Sequence, residues 1–161
     1  MKLYHGTNQD ITTIDPSLGM RHKDFGQGFY LTPEYDTASR MAQKRARLFG
    51  GTPTIIEYEF DETYLYNSNL STLIFPRIAT VEWARFIDNN RSLKDTCHNY
   101  DIVVGPIAND GIAYLLGRYH EGTKSLEELA KDLQDRFLDM QYMFATAKAV
   151  NLLRKERSIL L

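Results

Sequence analysis

Two short segments of the chain contain residue types that bind ligands or take part in proton transfer. In the first, His5 stands at the end of a short β-rich stretch and is followed directly by Gly6 and Thr7. An imidazole ring can donate or accept a hydrogen bond, and it titrates near neutral pH. A histidine at a strand end is structural more often than functional, so this segment alone leaves both interpretations open.

The second segment has two glycines in three positions directly before two aromatic residues. Such glycines permit a positive φ and let the backbone approach a ligand closely. Successive strand residues point to opposite faces, so one aromatic ring is expected in the core and the other toward whatever the loop holds. Hairpin geometry alone also accounts for this pattern. The segment reads Asp24-Phe25-Gly26-Gln27-Gly28-Phe29-Tyr30-Leu31-Thr32.

Other familiar catalytic patterns are missing from the sequence. Leu31 stands where a dinucleotide-binding fingerprint needs its third glycine, and there is neither a Walker loop nor a Gly-x-Ser-x-Gly elbow. Cys97 is expected to be an inert thiol beside His98, because a reactive thiolate needs a specific stabilising environment. No metal site is expected either, since the histidines lack a ligand spacing. The four histidines are His5, His22, His98 and His120.

The elements that would position these residues form a mixed pattern. Thr32 and Pro33 are expected to begin the first long helix, and Ser125 with Glu128 forms a capping box that begins another. Without regular βαβ alternation, the chain is predicted to be α+β. Strands are predicted over residues 3–5, 29–32, 54–60, 100–106, 141–144 and 159–161, and helices over 33–49, 78–88, 112–118, 125–138 and 146–153.

Length and composition limit the classes of protein. A chain of 161 residues with 43% hydrophobic and 25% charged residues predicts a single domain over residues 1–161 and excludes a disordered, collagen-like or membrane-spanning chain. The formal charge of −2 lacks the basic excess of nucleic-acid binders. Arg40, Lys44 and Arg47 form one basic stripe, expected to be solvated, with an anionic partner as the alternative. A single cysteine and no apolar leader predict a cytoplasmic protein, with signal-less export left open.

Taken in order, the motifs resemble those of the diphtheria-toxin-like ADP-ribosyltransferases, the superfamily that includes the poly(ADP-ribose) polymerases. That superfamily has a strand-end His-Gly-Ser/Thr, a Gly-x-Gly-hydrophobic-Tyr strand, and an acidic residue that opens a late strand. The matching positions here are His5, residues 26–30 and Gln141. The similarity is greatest to a bacterial branch that also has Asp-Phe-Gly-x-Gly-Phe-Tyr, a strand like residues 100–106, and glutamine at the third position. It implies a mixed, split β core with peripheral helices.

The resemblance also implies NAD⁺ as co-substrate, no metal, and a role for each matching residue. His5 would bond a ribose hydroxyl, the Gly6 backbone would hold the nicotinamide carboxamide, and Tyr30 would stack on the nicotinamide ring. Gln141 would approach the nicotinamide ribose beside the bond that breaks. The implied catalytic residues are Gln141, His5 and Tyr30, and the implied NAD⁺-binding residues are His5, Gly6, Thr7, Phe29, Tyr30 and Thr32.

The sequence departs from the polymerases at two positions. Gln141 is neutral where the polymerases have a glutamate, which argues against polymer synthesis. Met41 stands where they have a second stacking tyrosine, for which Tyr35 is the candidate substitute. We therefore expect a mono-ADP-ribosyltransferase of the bacterial toxin or phage-conflict kind. Its acceptor would be a protein, a nucleic acid or a small molecule, an antitoxin would be a partner, and no membrane is involved. A non-catalytic NAD⁺ or ADP-ribose-binding module, an NAD⁺ glycohydrolase and a plain scaffold are the alternatives.

Overall fold

The computed structural model describes residues 1–66, 69–92, 98–134 and 136–161, and within them the chain forms seven strands and five α-helices. Two short 3₁₀ helices, Pro16–Leu18 and Glu62–Tyr66, lie in the connections. The elements are β1 (Lys2–Thr7), β2 (Phe29–Leu31), α1 (Tyr35–Phe49), β3 (Thr54–Glu59), β4 (Thr72–Ile74), α2 (Val81–Ser92), β5 (Ile102–Pro106), α3 (Asp110–His120), α4 (Leu126–Leu133), β6 (Met140–Phe144), α5 (Ala147–Val150) and β7 (Arg154–Leu160).

The strands form two sheets. The three-stranded sheet has the order β1-β3-β7 and is antiparallel throughout. The four-stranded sheet has the order β2-β6-β5-β4, in which β4 and β5 are parallel and the other pairs antiparallel. An isolated antiparallel bridge between Tyr4 and Thr32 links β1 to the end of β2. This mixture of strands and helices confirms the α+β prediction.

Apolar side chains fill both faces of the four-stranded sheet. One face meets the three-stranded sheet in a cluster that includes Leu3, Ile56, Phe29 and Phe144. The opposite face is covered by α2, α3 and α4, and its cluster includes Trp83, Ile87, Val103, Leu116, Leu129 and Met143. Helix α1 covers the outer face of the three-stranded sheet, where Ala38 and Ala42 pack on Ile55. The three-stranded and the four-stranded sheet therefore meet along β1 and β2, the strands that contain the first two sequence motifs.

Some predicted boundaries are wrong, for identifiable reasons. Helix α1 begins at Tyr35 rather than at Pro33, because the extended backbone continues to Glu34, which takes the N-cap position with φ −89° and ψ 108°. Helix α4 ends at Leu133 instead of continuing to residue 138. Strand β7 begins at Arg154, five residues before the predicted start. The residues of β7 are mostly charged and exposed, so no apolar alternation marks them as a strand. The strand forms because these residues pair with β3.

Strand β1 and helix α1 approach so closely that only glycine fits at position 6. A Cβ atom there would overlap the Ala38 carbonyl oxygen and lie 2.9 Å from the Ala42 nitrogen, and both are backbone atoms that cannot turn away. This contact lets the helix cover the strand without a side chain between them. The glycine of the His-Gly motif therefore has a packing role beside any role in binding.

Replacing Gly6 with alanine should lower the free energy of unfolding by about 1–3 kcal/mol, because the helix and the strand must separate. The matched control is Gly117→Ala in α3, where no atom lies within 4 Å of the added Cβ. That change should stabilise the protein by up to ~1 kcal/mol through helix propensity. Urea unfolding of the two variants measures both effects, and equal stabilities would contradict the proposed close packing.

Candidate functional site

The strands β1 and β2 separate directly after their bridge. Tyr4 exchanges two backbone hydrogen bonds with Thr32, of 2.8 and 2.9 Å. In an antiparallel ladder the next such pair would join Gly6 to Tyr30. Instead the Tyr30 carbonyl accepts a hydrogen bond from the His5 side chain, with 2.7 Å between Nδ1 and oxygen. Backbone groups alternate along a strand, so the N–H and C=O of Gly6 point to the same side as those of Tyr4, toward β2 and away from β3. Among the residues that the structure describes, neither group bonds to β2, so the gap offers one donor and one acceptor.

The protonation of His5 follows from its surroundings. Burial, together with a smaller effect of the nearby charges of Lys23 and Arg45, lowers the pKa of the ring to about 4, against the opposite effect of the bond to Tyr30. A carbonyl only accepts, so the proton of the neutral ring is on Nδ1, and Nε2 is left as an acceptor. The ring is stacked on Phe29, with 4.3 Å between centroids. His5 therefore presents a fixed acceptor to a hydroxyl or an N–H.

The Tyr30 side chain offers its ring rather than its hydroxyl. The hydroxyl donates to the Gly26 carbonyl at 2.6 Å and accepts from the Phe25 N–H at 3.0 Å. Burial raises the pKa of this phenol, so it stays protonated. The ring packs against the core cluster beneath α2, α3 and α4, and the Lys23 ammonium lies over it, 4.8 Å from the centroid. A cation thus already occupies the aromatic face.

The glycine segment has the conformational features that its sequence predicts. Gly26 has a φ of +81°, which favours glycine strongly. Gly28 instead allows close approach to β6, since a Cβ there would lie 2.8 Å from the Phe144 carbonyl oxygen. Phe25, directly before Gly26, is fully buried, and its carbonyl accepts a hydrogen bond from His98 Nε2 at 2.7 Å. Three constraints therefore fix the loop: the positive φ of Gly26, the close approach of Gly28 to β6 and the hydrogen bond from His98.

Gln141 belongs to a polar network on β6. Its Nε2 donates to Asp24 Oδ2 at 3.1 Å and to the Pro106 carbonyl at 3.2 Å. Asp24 Oδ1 in turn receives Arg91, at 2.6 Å from Nη2 and 2.8 Å from Nε. Gln141 is only 8% exposed, so both of its donated bonds lie inside the protein. The neutral residue at the third motif position therefore contacts a carboxylate directly.

The structure brings some of the predicted site residues together and separates others. His5, Gly6 and Tyr30 meet at the gap, and the Phe29 ring lies against the His5 ring. Gln141 is connected to Tyr30 through the chain segment from Asp24 to Phe25.

The two predicted threonines lie at the margins. Thr7 is buried at the end of β1, where it pairs with Thr54. The Thr32 hydroxyl donates to Glu34 Oε2 at 2.7 Å, so it is engaged before α1 begins. Tyr35, the candidate second stacking residue, packs edge-on against Tyr4, with 5.4 Å between centroids. None of these contacts faces the gap as directly as those of His5 and Tyr30.

Sequence reasoning missed four charged residues of the site. Asp24 was visible in the glycine segment, but nothing marked it as the partner of a residue 117 positions away. Arg91 lies in the last turn of α2, and no sequence motif includes it. Lys23 and Arg45 were not predicted as site residues either. In the described part of the chain neither forms an ion pair. The charged residues around the gap are Lys23, Asp24, Arg45 and Arg91.

The predicted basic stripe lies elsewhere. Arg40, Lys44 and Arg47 are all exposed, as a solvated face requires, and Arg40 pairs with Asp139 at 3.4 Å. Cys97 lies outside the described residues. In the part of the chain that the structure describes, no group of three or more His, Cys, Asp or Glu side chains is arranged to hold a metal ion. The helices among the same residues are too short or too polar to cross a bilayer.

Two cavities lie apart from the gap. One of about 630 Å³ is beside Tyr66 and Tyr142, and Tyr142 points away from the face of β6 that carries Gln141. The other, of about 200 Å³, lies between α2 and α3 and is lined by Arg91, Asp88 and His120. Neither cavity is lined by His5 or Tyr30, although Arg91, which bonds to Asp24, lines the smaller one.

These features define an α+β protein with two sheets and a polar site where β1 and β2 separate. The chain belongs to the family described as "Protein of unknown function (DUF3990)", which matches residues 1–154. Searches of the curated proteins and of the solved structures find no match.

The pKa of His5 makes stability depend on pH. As the pH falls below about 6.5, the unfolded chain protonates this histidine while the folded protein, with a pKa of about 4, does not. Stability is therefore lost as the pH falls, by about 2 kcal/mol from this residue between pH 7 and pH 4.5. His5→Gln keeps a donor for the Tyr30 carbonyl but does not titrate, so it should lose correspondingly less stability over that range.

Urea unfolding at the two pH values measures this difference, and it separates the contribution of His5 from that of the carboxyl groups. His22→Gln, at an exposed histidine, is the matched control and should behave as the wild type does. If His5→Gln and the wild type lose the same stability, the imidazole is not buried in its neutral form.

Proposed function

We propose that this protein binds NAD⁺ between β1 and β2 and acts as a mono-ADP-ribosyltransferase with an ADP-ribosyltransferase-like fold. The observation that carries the proposal is the pair of unpartnered groups on Gly6, one N–H and one C=O, at the point where the strands separate. A primary carboxamide, such as that of nicotinamide, has one acceptor and one NH₂ donor and complements this pair. Buried polar groups left without partners cost free energy, which a ligand of this shape relieves.

His5 adds selectivity for a sugar hydroxyl. Its Nε2 can only accept while Nδ1 donates to Tyr30, and a ribose hydroxyl can donate to it. A site that recognises a ligand by hydrogen bonds discriminates strongly against analogues that lack the partner group. The carboxamide and the ribose of one nucleotide would thus be recognised by two adjacent residues of β1.

The charges around the gap fit the rest of the dinucleotide. The nicotinamide ring of NAD⁺ is cationic, and an aromatic face attracts a cation by about 0.5–2 kcal/mol. Lys23 now lies over the Tyr30 ring, so binding would replace one cation with another. Neither the displaced ammonium nor Arg45 forms an ion pair with a carboxylate in the described part of the chain, so both would then be available to the pyrophosphate.

The proposed reaction asks little covalent chemistry of the protein. The bond between nicotinamide and ribose C1′ breaks, its electron pair leaves with the ring, and the ring becomes neutral. The acceptor attacks the cationic C1′ and loses a proton. The protein orients the reactants, excludes water and stabilises the developing positive charge. Gln141 supplies no charge of its own, which favours a single transfer over chain elongation.

A non-catalytic NAD⁺ or ADP-ribose-binding module is the second candidate, and the neutral Gln141 is the observation that favours it. An NAD⁺ glycohydrolase, in which water replaces the acceptor, is the third. NAD⁺ labelled in the adenine half separates the three when incubated with protein, nucleic-acid and small-molecule acceptors. Nicotinamide release with label on an acceptor supports transfer, release without it supports hydrolysis, and binding alone supports the module. The absence of binding would refute all three.

The Tyr30 ring can be tested at a single position. Tyr30→Leu should weaken NAD⁺ binding by about 2- to 30-fold, because it removes the aromatic face. Tyr30→Phe loses only the hydroxyl and should bind NAD⁺ nearly as well as the wild type. Tyr114→Leu, at a 64% exposed tyrosine of α3, controls for the loss of an aromatic side chain. Titration calorimetry gives the affinities, and wild-type binding by Tyr30→Leu would show that the ring does not contact the ligand.

The cations near His5 can be tested with two ligands. Arg45→Ala should weaken NAD⁺ binding severalfold but leave nicotinamide riboside unaffected, because only NAD⁺ has the pyrophosphate. Lys44→Ala, at the adjacent exposed lysine, should change neither affinity. Raising the salt concentration should weaken NAD⁺ binding to the wild type more than to Arg45→Ala, since exposed charges are screened. An equal effect of Arg45→Ala on both ligands would contradict a pyrophosphate contact.

A further inference from the structure

We propose that Asp24 is the acidic group of this site and acts through Gln141. Its carboxylate holds the Gln141 amide so that Oε1 remains available to a ribose hydroxyl. The hydrogen bond to the carboxylate also polarises the amide, which increases the negative character of Oε1. Asp24 is thus a positioning residue that does not touch the substrate. This inference rests on the proposed function, because it assigns a ribose-bearing ligand to the site.

The hydrogen bonds determine which way the Gln141 amide faces. Nε2 donates one hydrogen to Asp24 Oδ2 and the other to the Pro106 carbonyl. Both partners are acceptors only, so a flipped amide would place its oxygen against two oxygens. The Pro106 carbonyl also accepts from Trp83 Nε1 at 3.1 Å, which holds it in place. Oε1 forms no hydrogen bond with the residues that the structure describes, and it is the acceptor that this arrangement leaves free.

Arg91 and the loop hold Asp24 in its position. Two guanidinium N–H groups of Arg91 bond to Oδ1, so Oδ2 is left for Gln141. The next residue, Phe25, is buried and donates its N–H to the Tyr30 hydroxyl. One loop therefore fixes the ring that would face the nicotinamide and the amide that would face the ribose.

The carboxylate explains why glutamine suits position 141. A glutamate there would place a second negative charge about 3 Å from Asp24 and facing the Pro106 carbonyl. Two carboxylates that share a site cannot both ionise readily. With glutamine, the charge-assisted hydrogen bond polarises the amide and increases the negative character of Oε1. The acid at position 24 and the amide at position 141 would together perform what one glutamate does elsewhere.

The test is a double-mutant cycle at these two positions, assayed by nicotinamide release. Asp24→Asn should lower the rate at saturating NAD⁺ by about tenfold or more, as losses of charge stabilisation do, and should raise KM severalfold, because the ribose also loses an oriented acceptor. Gln141→Glu alone should also lower the rate, because two carboxylates then meet. Gln141→Glu added to Asp24→Asn should raise the rate, because the pair then holds one carboxylate and one amide again. A purely structural role of Asp24 would give no such reversal of sign.

Asp88→Asn is the matched control, because the Asp88 side chain is similarly buried and pairs with His120 at 2.8 Å, and it bonds to neither Asp24 nor Gln141. It should leave the rate unchanged. An unchanged rate in Asp24→Asn, or a higher rate in Gln141→Glu with Asp24 intact, would overturn the inference while leaving the proposed function standing.

Calorimetry distinguishes failure of the inference from failure of the proposed function. A wild-type protein that binds neither NAD⁺ nor ADP-ribose refutes both. If it binds them but releases no nicotinamide, the decisive quantity is the affinity for ADP-ribose. Asp24→Asn should weaken that affinity at least severalfold, because the ribose loses a correctly oriented acceptor. An unchanged affinity would overturn the inference and leave a binding module.

Discussion

The hydrogen bond from His5 Nδ1 to the Tyr30 carbonyl is the interaction on which the site depends. It takes the acceptor that a regular ladder between β1 and β2 would use, so the two strands separate after the Tyr4–Thr32 bridge. The separation leaves the backbone groups of Gly6 unpartnered. The same bond places the imidazole proton on Nδ1 and makes Nε2 an acceptor. One side-chain bond therefore determines the shape of the gap and the hydrogen-bonding character of its wall.

Charge is distributed unevenly around the Tyr30 ring. Lys23 lies over the ring, and the positive charge of Arg45 lowers the pKa of both Lys23 and His5. The negative charge of Asp24 raises the pKa of Lys23 and of the Tyr30 phenol. A ligand with a cationic ring and an anionic linker matches such an arrangement at both ends. A neutral aromatic ligand would gain nothing from the two cations, and a simple anion would gain nothing from the ring. The proposed preference for a dinucleotide therefore rests on the combination of these groups.

Local sequence signals predicted the parts of this site that depend on local geometry. The positive φ of Gly26, the close approach at Gly28 and the opposite orientation of Phe29 and Tyr30 follow from residue type and strand periodicity. Helix α5 and its Thr146 cap were predicted for the same reason.

Features that depend on tertiary contacts could not be predicted from the sequence. Strand β7 is charged and exposed, and only its pairing with β3 makes it a strand. The hydrogen bond between Asp24 and Gln141 joins residues 117 positions apart, and no sequence motif near either residue predicts this contact. Only the resemblance to a known family marks Gln141 as a site residue, and in that comparison it stands for the loss of a charged group. A residue type read alone gives its own charge, whereas a site is defined by the charge of the groups that residue contacts.

Because Gln141 bonds to a carboxylate, its neutrality does not by itself distinguish a transferase from a binding module. That distinction depends on whether the Asp24–Gln141 pair stabilises the cationic transition state more than it stabilises bound NAD⁺. Since the positive charge on the ribose develops only as the bond to nicotinamide breaks, a polarised acceptor beside the ribose favours the transition state over the ground state.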